Sequence, residues 1–243
     1  MKTPSFRYMG GKARLRTWLV EHFPRSGRIY AEPFVGRGNV FFEAVQRLQF
    51  AHWQLADRDA GFLQALLRAD LDRLPEMVDR AAFETLRNQG GDIALLVEPR
   101  VTFAGKGYAA GFSGSSGTHV GYSYKSYRPM CQAARELLKR PGVDVVSASW
   151  NTLSWDQLSV DDFAYFDPPY FGTKASYPNI DHDALMTLLN GARFRWALSG
   201  YADPAYEAKL RFMQRFERER NAEIKSSNAG GASPVIEVLW TNY

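Results

Sequence analysis

The chain has 243 residues, of which 45% are hydrophobic and 23% charged, and its formal net charge is +4. These values are those of an ordinary globular protein, long enough for one large domain or a domain with an insertion. No apolar run reaches the roughly 20 residues that a membrane helix needs, and the basic start of the chain lacks the apolar centre of a signal peptide. A cytoplasmic location is therefore expected, and the positive charge is compatible with a polyanionic partner.

The single cysteine, Cys131, restricts the covalent and metal chemistry of the chain. One thiol excludes an internal disulfide and a cysteine-based zinc site. A buried free thiol is the preferred interpretation, with a catalytic thiol as the alternative. We expect no metal site and no obligate protein partner.

The first seventy residues alternate between strand and helix patterns. Helices are predicted over 13–22, 40–47 and 60–67, and strands over 28–31 and 52–56. Gly36 and Gly38 lie in the turn after the first strand, and Asp57 follows the second. The order of strand, glycine-rich turn, helix, strand and acid is typical of the opening of a doubly wound α/β sheet.

The middle of the chain breaks this alternation. Residues 70–129 begin with helical segments and continue into an aperiodic stretch in which glycine and serine alternate with aromatic and basic residues. We interpret this region as an insertion into an α/β domain formed by residues 1–69 and 130–243. The remaining predicted elements are helices over 129–140, 183–190 and 204–215, and strands over 143–149, 163–166, 194–199, 217–224 and 235–242.

The most informative local feature is Asp167-Pro168-Pro169-Tyr170, directly after an apolar strand. Each proline fixes its own φ and pushes the preceding residue toward an extended conformation. The Asp167 carboxylate and the Pro168 carbonyl are therefore held stiffly beside the Tyr170 ring. Two acceptors and one ring face suit a flat heterocycle with an exocyclic amino group. A proline-stiffened turn without a ligand is the alternative.

The glycine turn and the acid after the second strand indicate a second ligand site. Gly36 and Gly38 allow the backbone to approach a ligand closely, and Asp57 stands where a carboxylate usually holds ribose hydroxyls. A purely structural turn and a helix cap are the alternatives. The run is not a full GxGxxG, which argues against a dinucleotide and hence against a dehydrogenase.

Three motifs in chain order resemble the Dam-type, class α family of DNA adenine-N6 methyltransferases. They are YMGGK at residues 8–12, EPFVGRG at 32–38 and DPPY at 167–170, and the ending EVLWTNY at 237–243 resembles the family's closing strand. The resemblance covers nearly the whole chain. It implies a Rossmann-like, S-adenosylmethionine-dependent methyltransferase sheet in which the insertion 70–129 recognises double-stranded DNA. Such enzymes occur in restriction–modification systems.

The resemblance also implies roles for individual residues. The catalytic residues would be Asp167, Pro168 and Tyr170. The residues that bind S-adenosylmethionine would be Tyr8, Lys12, Phe34, Gly36, Gly38, Asp57 and Asp167. In the insertion, Lys106, Lys125 and Arg128 are candidates for contacts with phosphates or guanine edges, and Tyr122 for filling the gap that a flipped base leaves. A glycine-rich surface loop is the alternative for that region.

The implied reaction is methyl transfer to the N6 amino group of an adenine flipped out of the duplex. Hydrogen bonds to Asp167 and Pro168 would favour a more pyramidal, more nucleophilic nitrogen, and no metal or covalent enzyme intermediate is required. Two alternatives stay open. One is methylation of cytosine N4 or of an RNA base on the same scaffold, and the other is a DNA-binding relative that has lost turnover.

Overall fold

A seven-stranded sheet forms the centre of the protein, whose computed structural model describes residues 2–8, 10–113, 124–171, 180–221 and 234–243. The strands are β1 (Ser26–Glu32), β2 (Gln49–Asp57), β3 (Val143–Ser147), β4 (Phe163–Phe166), β5 (Arg195–Tyr201), β6 (Gln214–Asn221) and β7 (Pro234–Thr241). Their order in the sheet is β3-β2-β1-β4-β5-β7-β6. Strands β1 to β5 run parallel, and β7 lies antiparallel between β5 and β6.

The strand order reverses between β1 and β4, which are neighbours in the sheet. From β1 the chain proceeds outward to β2 and β3, and from β4 it proceeds outward on the other side to β5. Loops that leave the carboxyl ends of β1 and β4 therefore diverge and open a crevice between them. The predicted α/β class and Rossmann-like sheet are confirmed.

Helices cover both faces of the sheet, so its central strands are buried on both sides. The helices are α1 (Arg16–Glu21), α2 (Asn39–Arg47), α3 (Gly61–Arg68), α4 (Arg80–Gln89), α5 (Gly91–Val101), α6 (Tyr124–Leu138), α7 (His182–Gly191) and α8 (Pro204–Glu207). Side chains alternate between the faces along each strand. In β4, Phe163 and Tyr165 belong to one apolar cluster, whereas Ala164 and Phe166 belong to the cluster on the other face.

The described part of the predicted insertion shares the main core. Phe83 of α4 and Val97 of α5 belong to the same cluster as Phe6 and Tyr30 of the sheet domain. Helix α6 leads back to the sheet, and Arg135 fastens it to the end of α3 by donating to the carbonyl oxygen of Leu66 at 2.5 Å. The segment is thus packed onto the sheet domain, and its role in target recognition stays a prediction.

Two predicted helix limits are wrong. The helix predicted over 204–215 ends at Glu207, because residues from Gln214 onward pair with β7 as the edge strand β6. Arg215, the last residue of that predicted helix, lies on the strand. Helix α6 begins at Tyr124, five residues before the predicted start at Pro129, and its buried Tyr127 anchors the added turn in the core.

The described residues contain no helix that combines the length and apolar character of a membrane span. Within the same residues, no group of three or more histidine, cysteine or acidic side chains has an arrangement that could bind a metal ion. Cys131 is buried, and burial raises the pKa of its thiol to about 12. The thiol is therefore protonated at neutral pH, as a structural cysteine would be.

Candidate active site

Asp167 lies at the reversal point of the sheet, immediately after the last residue of β4. Its Oδ1 accepts a hydrogen bond of 2.8 Å from the Ser199 hydroxyl of β5 and lies 2.8 Å from the Lys12 ammonium. Ser199 is buried, and its hydroxyl also lies 3.0 Å from that of Tyr165. The neighbouring strand and the N-terminal segment therefore fix the carboxylate in place.

Lys12 connects the N-terminal motif to the DPPY motif. Its side chain is buried, and its ammonium lies 3.7 Å from Glu237 Oε1 of β7 and donates to the Gly10 carbonyl oxygen at 3.0 Å. The ammonium also lies 4.6 Å from the centre of the Tyr170 ring. A buried ammonium is tolerated only with such partners, since burial removes its hydration. Lys12, Asp167 and Tyr170, which lie in two motifs far apart in sequence, are thus brought together.

Tyr170 is oriented through its hydroxyl as well as its ring. The hydroxyl donates to Oε1 of Glu237, a carboxylate with no exposed surface. The ring packs edge-to-face on Tyr201, with ring centres 4.6 Å apart. Burial raises the pKa of Tyr170, and the charges of Asp167 and Glu237 raise it further. The hydroxyl therefore stays protonated and can act as the donor in this pair.

The glycine turn after β1 is built around Asp57. Gly36 and Gly38 have φ angles of +52° and +75°, a region that side-chain-bearing residues rarely adopt. The Gly36 amide donates to Asp57 Oδ2 at 2.8 Å. A Cβ atom on Gly36 would lie 3.0 Å from the Tyr8 ring, so this turn and Tyr8 approach each other closely. Four predicted donor-site residues, Tyr8, Gly36, Gly38 and Asp57, are therefore neighbours.

Glu32 is a buried carboxyl that the sequence reasoning left without a role. It ends β1 with 2% of its surface exposed, and Oε2 accepts a hydrogen bond of 2.8 Å from the Tyr30 hydroxyl. Burial raises the pKa of Glu32 well above its usual value, and the charges of Asp167 and Asp57 add to the increase. Three acidic side chains thus stand at the carboxyl ends of β1, β2 and β4.

Replacing Glu32 by glutamine is expected to stabilise the protein increasingly as pH rises. Below the ordinary glutamate pKa, about 4.3, Glu32 is protonated in the folded and unfolded chain alike. As pH rises toward the elevated folded pKa, the unfolded chain loses the proton first, so wild-type stability falls. The glutamine oxygen can still accept from Tyr30. Thermal unfolding of both proteins between pH 4 and 8 should show that the variant melts at a higher temperature than wild type, and that this difference in melting temperature widens with rising pH to roughly a few °C. A difference independent of pH would contradict the raised pKa.

The predicted nucleic-acid contacts are spread over the insertion. Lys106 and Lys125 are exposed, whereas Arg128 forms an ion pair with Asp72. The turn before Lys106 packs on the N-terminal segment, since a Cβ on Gly105 would lie 2.8 Å from the Arg7 carbonyl oxygen. Lys125 and Arg128 lie on the first turns of α6. Arg128 is thus paired within the predicted insertion, and Tyr122 lies outside the described residues.

Several residues that shape the site were missed by sequence reasoning. Glu237 was recognised only as part of the closing strand, and Ser199 only as the end of a predicted strand. Asn39 holds the N-terminal segment by accepting from the Phe6 amide at 3.0 Å and donating to its carbonyl at 2.9 Å. The sequence does contain one signal, which is a single charged residue inside an otherwise apolar strand, as at Glu237. Such a residue is expected to be buried, and a buried charge needs a partner.

Known proteins provide a family assignment for the segment that carries the glycine turn. Residues 8–90 match the family described as D12 class N6 adenine-specific DNA methyltransferase. The predicted resemblance is confirmed over this part of the chain. The match over residues 8–90 and the fold support a methyltransferase, which implies S-adenosylmethionine as the methyl donor. No match was found among curated protein sequences.

Several solved structures resemble this chain over most of its length at low sequence identity. A Pyrococcus horikoshii protein, provisionally named an RNA methyltransferase, is 9% identical with a TM-score of 0.47, over 98% of this chain and 86% of its own. Precorrin 8w decarboxylase of Methanobacterium thermoautotrophicum is 12% identical with a TM-score of 0.37, over 95% of this chain and 88% of its own. The provisionally named Escherichia coli methyltransferase yhhF is 14% identical with a TM-score of 0.38, over 100% of this chain and 90% of its own. At these values the likeness carries no information about substrate.

The residues at the reversal point fit S-adenosylmethionine chemically. The donor carries a positive sulfonium, and the acidic residues Glu32, Asp57 and Asp167 stand at the carboxyl ends of β1, β2 and β4, where the crevice opens. The positive φ angles of Gly36 and Gly38 leave the turn without a Cβ, so a ligand can approach the backbone. These observations are consistent with the predicted donor-binding set, which also includes the half-buried Phe34.

Proposed function

We propose that this protein transfers a methyl group to the N6 amino group of adenine in double-stranded DNA. The observation that carries the proposal is the fixed Asp167-Pro168-Pro169-Tyr170 segment at the reversal point of the sheet. Ser199 and Lys12 hold the carboxylate, and Glu237 holds the tyrosine ring through its hydroxyl. An amino group on a flat ring is the ligand that two rigid acceptors beside an aromatic face would select. The matched family carries the same activity in its description.

The residues of the site would act by holding the adenine rather than by attacking it. Asp167 and the Pro168 carbonyl would accept the two amino hydrogens and align the nitrogen lone pair with the methyl group. S-Adenosylmethionine supplies a methyl group that its sulfonium already activates. Tyr170 would stack on the flipped base, which returns roughly 1–3 kcal/mol of the cost of unstacking. Lys12 must withdraw from the face of Tyr170 if the base stacks there, and nearby Glu237 offers its ammonium another partner.

The proposed base is tested by the modification that the protein leaves in DNA. The wild-type protein is expressed in cells that lack adenine methylation, and their DNA is digested to nucleosides. N6-Methyladenine is the expected product, and sequencing of the modified positions would give the recognition site. N4-Methylcytosine would retain the scaffold and overturn the base assignment. If a soluble protein leaves neither product in the DNA, DNA methylation is contradicted. An RNA target or a relative without turnover would then be favoured.

Lys125 is expected to contribute to DNA affinity without reading sequence. It is exposed at the start of α6 in the predicted recognition region. If Lys125 contacts a phosphate, Lys125→Ala should weaken binding to every duplex and lower the slope of log affinity against log salt by about 0.9. Titrations of a mixed-sequence duplex at several salt concentrations measure this slope.

The matched control for that titration is Lys139→Ala. Lys139 is also an exposed lysine but stands just beyond the opposite end of α6. The two variants remove the same charge and differ only in position. Lys125 would be removed from the set of DNA contacts if Lys125→Ala had the same salt slope as wild type. The same would follow if Lys139→Ala lowered the slope as much as Lys125→Ala does.

A further inference from the structure

Arg37 is a buried cation in the middle of the glycine turn. It lies between Gly36 and Gly38 with only 8% of its surface exposed. One terminal nitrogen donates to the Arg7 carbonyl oxygen at 2.5 Å, and the other pairs with Glu98 Oε2. The side chain is therefore turned into the protein, where it connects the turn to two other segments.

The guanidinium of Arg37 also lies against two rings. Its central carbon is 5.1 Å from the ring centre of Tyr8 and 5.1 Å from that of Phe62. Tyr8 is one of the predicted donor-site residues, and the Cβ position of Gly36 touches the same ring. The position of Tyr8 relative to the turn thus depends on Arg37.

Glu98 brings the predicted insertion into this arrangement. It is a buried residue of α5, and its Oε1 accepts from the Thr102 hydroxyl at 2.8 Å and from the Gly107 amide at 2.6 Å. Both carboxylate oxygens are engaged, one within the insertion and one with Arg37. The ion pair therefore joins the segment around Gly107 to the glycine turn.

A buried ion pair of this kind contributes little net stability, because each charge loses its hydration. Its geometry nevertheless defines position, since a planar guanidinium binds a carboxylate and a ring in fixed directions. Here the pair sets the distance between the glycine turn, Tyr8 and the insertion. Its function is better explained by the placement of those three parts than by stability alone.

We propose that Arg37 is a positioning residue for the methyl-donor site and that Glu98, which binds Arg37, connects the insertion to that site. The inference rests on the proposed donor site, in which Tyr8, Gly36 and Gly38 contact S-adenosylmethionine. The affinity for S-adenosylmethionine accordingly depends on Glu98 of α5, which lies outside the predicted set of donor-binding residues. The element predicted to recognise the target is thereby connected to the pocket that holds the methyl group.

The test is the affinity for S-adenosylmethionine without DNA, measured by calorimetry at a temperature where every variant is folded. Glu98→Gln keeps the size of the side chain but removes its charge, and it is expected to weaken donor binding about tenfold. Arg37→Lys keeps the charge but loses the planar fork, and should also weaken binding. The matched control is Glu84→Gln, which changes a half-buried glutamate of α4 that pairs with Arg80 and Arg87; this variant should bind the donor as wild type does.

A second variant separates positioning from stability. The double change of Arg37→Met with Glu98→Leu removes both buried charges, so thermal stability should recover relative to the single changes, whereas donor affinity should stay low. Variants that unfold at a lower temperature yet bind the donor like wild type would overturn the inference and leave a purely structural ion pair. A wild type that fails to bind the donor would overturn the donor site itself, and this inference with it.

Discussion

Asp167→Ala is expected to reduce methyl transfer by about a thousandfold or more. The change removes the acceptor that would orient the amino nitrogen, and it also removes the close partner of the buried Lys12 ammonium. Purified protein, S-adenosylmethionine carrying a labelled methyl group and unmodified DNA give the rate directly. Asp167→Asn keeps the shape of the side chain and an oxygen that can accept from Lys12, so it removes the charge without leaving the ammonium without a hydrogen-bond partner.

The control for the Asp167 variants is Asp144→Ala, which deletes an exposed aspartate on the edge strand β3. It should retain wild-type turnover and thermal stability. Circular dichroism and thermal unfolding establish that the Asp167 variants remain folded. Turnover near the wild-type rate in Asp167→Ala would refute the acceptor role and return the DPPY segment to a structural turn.

Much of the fold could be predicted from local patterns of side chains. The strand 163–166 was predicted with the limits that the structure shows, because four apolar residues there stop at an aspartate and two prolines. The first two strand–helix units likewise follow from the alternation of apolar runs with a glycine turn. Such local signals identify the strands whose carboxyl ends carry the candidate site residues.

The contacts between distant segments could not be predicted in the same way. The pairing of Lys12 with Asp167 depends on how the N-terminal segment crosses the sheet, and no local pattern encodes that path. A strand is predicted over 217–224, but Gln214 and Arg215, the first residues of the edge strand β6, are assigned to a helix, because only their pairing with β7 marks where the strand begins. Arg37 is buried although it stands in a turn, because it pairs with Glu98 on a helix far along the chain, which no local pattern indicates.

Tyr170→Ala is expected to remove most of the activity, and Tyr170→Phe a smaller part of it. Alanine deletes the ring on which the base would stack, an interaction worth roughly 1–3 kcal/mol. Phenylalanine keeps the ring but removes the hydroxyl that donates to Glu237, a fully buried carboxylate. The ring would then be held mainly by its edge-to-face contact with Tyr201, so phenylalanine should lower the rate by up to about tenfold, a loss of one hydrogen bond.

Glu237→Gln decides between the two roles of Tyr170, since it keeps an acceptor for the hydroxyl while removing the charge that faces Lys12. If the hydroxyl serves only to orient the ring, Glu237→Gln should be no more impaired than Tyr170→Phe, and the two changes together should cost less than the sum of their separate effects. Turnover and thermal stability of the four proteins complete this cycle. Equal losses for Tyr170→Ala and Tyr170→Phe would show instead that the hydroxyl takes part in the reaction and that stacking on the ring contributes little.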